Sequence, residues 1–269
     1  MNKLVWILAV VLCSTSFAYD IEDFKRDAKT YHESHLFAMN GLALTVHGDI
    51  TQPGHDSFTV DATYSMRGNK WRADAVVKSE DVEEGFPVTV LFDGTQTWTQ
   101  MLGMKVKVQH SDVDNRVRGY LYWEEPAYGS ELEGEGRLNG HDCWVVTTPL
   151  KESDGTEITM RSWYDKEHFV LVQSETTLDG KPVHMEFSDF RPVSGDYVIP
   201  HAMRAEQEGN QIVSAKVIAA SDGKGVLDTA FDAELLDGGD FPDMGQLMRT
   251  MQVFGKVFTK EVSKLLKAD

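Results

Sequence analysis

The chain has 269 residues, of which 41% are hydrophobic, and a formal net charge of −17. That apolar fraction is enough for a packed interior. The acidic balance excludes nucleic-acid binding, because neutralising phosphates takes clustered Lys and Arg.

At the N-terminus Lys3 precedes the apolar stretch 4–12 (LVWILAVVL), too short to span a bilayer but of the length of a signal-peptide core. Ser16 and Ala18 put small residues where a signal peptidase reads, so cleavage after Ala18 and export are expected. Leu12 is too bulky beside Cys13 for lipidation, so the exported chain is expected to carry no lipid anchor. No later apolar run is long enough for a transmembrane helix. Cys143 is then the single mature cysteine, and stability must come from a core rather than a disulfide. The expected organisation is a signal peptide over 1–18, one β domain over 19–237 and a helical extension over 240–269.

Ile21, Phe24, Ala28 and Tyr31 recur at helical steps, which predicts an amphipathic helix over about 21–35. From Leu42 the period changes to two. Strands are predicted near 42–50, 57–66, 70–78, 87–92, 95–101 and 104–109, separated by Gly54, Gly68-Asn69, Gly85, Asp93-Gly94 and Gly103. The acidic stretches at Glu80, Asp81, Glu83, Glu84 and at Glu131, Glu133, Glu135 contain glycines and are read as solvated loops. Residues 112–127 lose alternation and are read as an inserted helix or an ordered loop.

A second meander follows, with strands near 143–149, 157–164, 169–177, 181–190, 197–207 and 211–219. Val183, Met185 and Phe187 alternate with His184, Glu186 and Ser188, giving one apolar and one wet face. Short connections between successive strands imply antiparallel neighbours, hence one large curved sheet or an open barrel. Past Pro242, a helix over about 243–267 carries Leu247, Met251, Phe254 and Phe258 in one stripe and Lys256, Lys260, Lys264 and Lys267 on another face.

Chemical motifs are sparse. His32 and His35 form an HxxH pair without a third ligand, better read as exposed polar residues than as a metal site. His184 and Glu186 fit a solvated cross-strand contact. Cys143, close to His141 at the start of an apolar strand, reads as a buried structural cysteine. There is no nucleophile elbow, P-loop, dinucleotide fingerprint or HExxH, so no enzyme and no cofactor are expected. A curved sheet closed by amphipathic helices makes a hollow for a chain-like ligand, but alternation alone does not separate a hollow from a filled core.

Several segments carry a resemblance: FTVDATYSMRGNKWRAD, VTVLFDGTQTWTQ, and the second half with Trp163-Tyr164-Asp165-Lys166, Asp179-Gly180-Lys181, Phe187-Ser188-Asp189-Phe190-Arg191 and Ile199-Pro200. Over about 20–232 the chain resembles the outer-membrane lipoprotein carrier and sorting (LolA-like) superfamily. The resemblance implies a mainly β fold, an incomplete antiparallel β-barrel with a helical lid. It also implies a non-enzymatic periplasmic role, with lipoprotein or lipid acyl chains in an apolar hollow and an envelope membrane protein as donor or acceptor. The other role it allows is an envelope-stress sensor that binds peptides or misassembled proteins. Arg67 falls nearest the family's lid-holding arginine, although Gly68 replaces the proline that usually follows. Together with alternation and helical phase, this nominates Arg67, Trp71, Leu171, Val183, Met185, Phe187 and Met251 as ligand-binding residues. The lysine row of the C-terminal helix offers a transient contact with anionic membrane headgroups.

Overall fold

The computed structural model describes residues 19–51, 57–80, 82–101, 103–108, 125–151, 156–178 and 180–236. The segments expected to be a signal peptide and a C-terminal helix, the latter with Met251, and most of 112–127 lie outside the described residues.

Helix α1 (Ile21–Ala38) comes first. Asp20 caps it by accepting from the N–H groups of Glu22 and Asp23, while the Asp23 side chain reaches back to the Asp20 N–H in a capping box. Among the described residues thirteen strands follow. The first meander is β1 (Leu42–Thr51), β2 (Ser57–Arg67), β3 (Lys70–Ser79), β4 (Val82–Phe92), β5 (Thr97–Met101) and β6 (Met104–Val108). The second is β7 (Glu131–Leu138), β8 (His141–Lys151), β9 (Glu157–Asp165), β10 (Leu171–Leu178), β11 (Lys181–Ser194), β12 (Tyr197–Gln207) and β13 (Asn210–Asp222).

All thirteen strands join in one sheet, in the order β6-β5-β4-β3-β2-β1-β13-β12-β11-β10-β9-β8-β7. Each meander pairs neighbour to neighbour, and the antiparallel β1–β13 ladder welds the two halves together. Strands β6 and β7 are the two edges, so the barrel is unclosed. The β1–β13 junction demands glycine. A Cβ on Gly41 (φ +116°) would stand 2.0 Å from the Met66 carbonyl oxygen, and one on Gly223 would stand 2.7 Å from that of Asn40.

Laid flat, the seven intervals from β2 to β8 would span about 34 Å, more than the ~27 Å of an 18-residue helix. Yet α1 reaches both sides. Tyr31 and Leu36 pack against the cluster that contains Tyr64 and Met66 of β2, while Phe24 and Ala28 cluster with Val146 of β8. The sheet therefore curls around the helix, and one face becomes an inner face.

Behind β13 the chain forms a strap across the outer face through short 3-10 turns at Gly223–Gly225, Asp228–Phe231 and Ala233–Leu235. Phe231, Ala233 and Leu236 pack on Leu91 and Trp98.

Three sequence expectations need correction. Glu83 and Glu84 lie in strand β4, and Glu131, Glu133 and Glu135 in strand β7, rather than in loops. Glu133 pairs with Arg161 at 2.7 Å and Glu135 with Lys166 at 2.6 Å, so the charges that read as loop-forming protect a sheet edge. Gly85 is no turn either; it sits inside β4 with φ +73°, opposite a register shift between Val77 and Ser79. Finally, His32 is not exposed: it is wholly buried.

Candidate functional site

Strand parity sorts every side chain onto the inner or the outer face. On the inner face α1 covers only one end of the strands. Leu42, Leu44, Tyr64, Met66, Trp71 and Phe92 pack there with Tyr197 and Ile199, and Val146 and Tyr164 complete the floor beneath Phe24. Tyr19 stacks on Trp144 at 4.3 Å, extending this plug toward the β7 edge.

The other end of the strands has a smaller cluster, Phe58 and Phe86 with Ile50, Val77, Val88 and Met101. Between the two runs a band of small and flexible apolar residues in register: Val60, Ala62, Ala75, Ala215, Met203 and Met185. Each of these is half-buried, so α1 leaves an apolar trough beyond its own footprint. The methionines give that trough an adaptable wall.

Two serines interrupt the apolar floor. Ser162 of β9 and Ser174 of β10 stand directly opposite one another on the inner face and are almost wholly buried. Neither hydroxyl has a hydrogen-bond partner.

Of the sequence-nominated residues, Val183, Met185 and Phe187 share the inner face of β11 in the trough half. Leu171 also faces inward but belongs to the plug, against Tyr164 and Phe24. Trp71 is the centre of the plug, 0% exposed, so it acts as core. Arg67 corrects the expectation from the resemblance. It lies on the outer face, where its guanidinium donates to the Val226 carbonyl at 3.1 Å and approaches Asp228 at 3.5 Å. It holds the strap, not the helix. Arg72 and Lys105 do the same at the Ala230 and Ala233 carbonyls.

The helix is instead held by histidines. His32 meets the Tyr197 hydroxyl and the Phe169 carbonyl, and His35 Nε2 reaches Asp196 at 3.0 Å. Burial pushes the His32 imidazole down to about 4. Among the described residues no group of His, Cys, Asp and Glu is arranged to hold a metal ion.

On the outer face Cys143 is buried with Val145, Trp163 and Val172. Burial raises its thiol to about 11, helped by the charge of Asp165, so it remains protonated. Burial also pushes the Asp165 carboxyl up, but hydrogen bonds from His141 and His168 outweigh this and hold it below the usual carboxylate range. On the wet face of β11, His184 approaches Glu175 of β10 at 3.6 Å and Glu186 approaches Arg204 of β12 at 3.5 Å, both solvated cross-strand contacts, while Glu186 also accepts from Asn139 in the β7–β8 turn.

No family model and no curated protein matches the sequence. Solved structures do. The chain is similar to an outer membrane lipoprotein-sorting protein domain from Vibrio parahaemolyticus, at 13% identity and a TM-score of 0.59, covering 80% of this chain and 97% of that one. It is also similar to a LolA superfamily protein from Nitrosomonas europaea, at 13% identity and a TM-score of 0.52, covering 78% of this chain and 98% of that one. The fold is LolA-like: a wide antiparallel sheet, not closed into a barrel, with a helix on its inner face.

Proposed function

We propose that this LolA-like chain is a non-enzymatic periplasmic carrier that holds the acyl chains of a lipoprotein, or of another lipid, in the trough beside α1. The observation that carries this reading is the half-buried band of Val60, Ala62, Ala75, Ala215, Met203 and Met185 next to a plug that is already fully packed. A filled core would bury that band; an acyl chain laid along it completes the burial at ~0.8 kcal/mol per methylene. The fold similarity to a lipoprotein-sorting domain points to the same ligand chemistry.

The absence of catalysis in this reading rests on Cys143 staying protonated and on His32 staying neutral, with both ring nitrogens engaged. In this reading residues 1–18 leave as a signal peptide, and the lysines of 240–269, which lie outside the described residues, meet the membrane surface. An envelope membrane protein supplies or receives the cargo.

Native mass spectrometry with lipid extraction tests the proposal on protein purified from the periplasm without detergent. The expected result is a co-purified acylated species. A ligand-free mass, together with no uptake of a fluorescent fatty-acid probe, would refute it.

A further inference from the structure

Among the described inner-face residues, Ser79, Ser162 and Ser174 have buried hydroxyls without a hydrogen-bond partner, and of these only Ser162 and Ser174 stand as a facing pair. Ser162 is 1% exposed and Ser174 0%, and neither Oγ has a hydrogen-bond partner. Hydroxyls nearby on the same face are satisfied: Ser130 donates to Thr148 at 3.0 Å, and Thr176 donates to the Thr159 carbonyl at 3.3 Å. A buried hydroxyl left without a partner is unfavourable, so two of them facing each other call for a shared ligand.

Register fixes their surroundings. Ser162 stands across from Val146 on one side and Ser174 on the other, and Ser174 stands across from Met185. Tyr164 and Leu171 lie on the plug side of the pair, Met160 and Thr176 on the trough side. None of these six neighbours carries a positive charge, so a carboxylate or phosphate has no counter-ion here. An ester carbonyl suits the spot. It is neutral, accepts two hydrogen bonds, and is the polar group that lies next to the hydrocarbon in an acyl lipid.

We propose that Ser162 and Ser174 form a subsite that donates hydrogen bonds to the ester carbonyl of an acyl lipid, making the trough selective for acyl esters over ether-linked or plain hydrocarbon chains. This subsite rests on the lipid-binding reading above. It places the carbonyl at the boundary of the plug, with the chain running away from α1 along Met185 and Met203.

The test compares two fluorescent probes, a tail-labelled diacylglycerol and its dialkyl ether analogue, which differ only in the carbonyls. Wild-type protein is expected to bind the diacyl probe about tenfold more tightly. The S162A/S174A variant is expected to lose that preference by weakening the diacyl probe alone. Its thermal midpoint is expected not to fall, because no intramolecular hydrogen bond is removed. Equal affinities in wild type, or a preference that survives in S162A/S174A, would overturn the subsite and leave lipid binding intact. A lowered midpoint with the preference unchanged would assign the serines a structural role and overturn it too. Failure of the wild type to bind either probe would instead refute the lipid-binding reading, and the subsite with it.

Discussion

His32 on α1 and Tyr197 at the start of β12 share a buried hydrogen bond, with Nδ1 3.1 Å from the phenolic oxygen. The opposite ring nitrogen, Nε2, lies 3.2 Å from the Phe169 carbonyl, which only accepts, so Nε2 carries the proton and Nδ1 accepts from Tyr197. A neutral imidazole therefore ties the helix to the middle of the sheet and to the turn before β10.

This clasp makes stability pH-dependent. An unfolded histidine takes up a proton near pH 6.5, whereas the folded His32 resists until about pH 4. Its contribution is complete above pH 6.5 and is lost as the pH falls toward 4, on the order of 3 kcal/mol across that window. Denaturant titrations at pH 7, 5.5 and 4 measure it. The His32→Gln variant is expected to be less stable at pH 7 and to show a flatter slope; an unchanged slope would mean another group titrates.

Cys143 is expected to be chemically silent. With a thiol pushed up to about 11 and no exposed surface, it should resist a disulfide reagent at pH 8 until the protein is unfolded. Rapid labelling of the native protein would show that the outer face opens around Trp163 and Val172.

Gly41 and Gly223 hold the seam where β1 meets β13, with the Gly223 N–H donating to the Gly41 carbonyl at 3.0 Å. Gly41→Ala combines a backbone clash at 2.0 Å with a left-handed φ and is expected to cost about 3 kcal/mol or more. Gly68→Ala is the control. Its φ of +58° gives strain but nothing lies within 4 Å of its Cβ, so about 1 kcal/mol is expected. Thermal unfolding compares the two.

Trp71 and Met185 separate plug from trough. Trp71→Ala empties a fully buried site and is expected to cost ~3–5 kcal/mol. Met185→Ala, at a half-buried position, is expected to change stability by about 1 kcal/mol while weakening acyl-probe binding. Equal effects of the two on stability would argue that the trough is packed core.

The strands were readable where alternation was clean. Val183, Met185 and Phe187 occupy one face of β11 as their period predicts, and α1 begins at Ile21 as its apolar steps predict. Strand β7 was hidden because an edge strand protects itself with charge, and three glutamates among glycines look like a loop until Arg161 and Lys166 from neighbouring segments meet two of them. The unpartnered serines carried a faint signal. Met160, Ser162 and Tyr164 alternate inward along β9, but nothing local marks a serine as lacking a partner.

Composition, charge and periodicity by themselves determined a mainly β chain of antiparallel neighbours with an amphipathic helix first, because short-range sterics and side-chain period act along the chain. Only the tertiary structure decided the assignments that depend on partners distant in sequence. It placed Arg67 on the outer face against Val226, buried His32 against Tyr197, and left Ser162 and Ser174 facing each other without partners. Curling of the sheet brings those residues together or apart, and no local pattern encodes which side of a curled sheet a helix will cover.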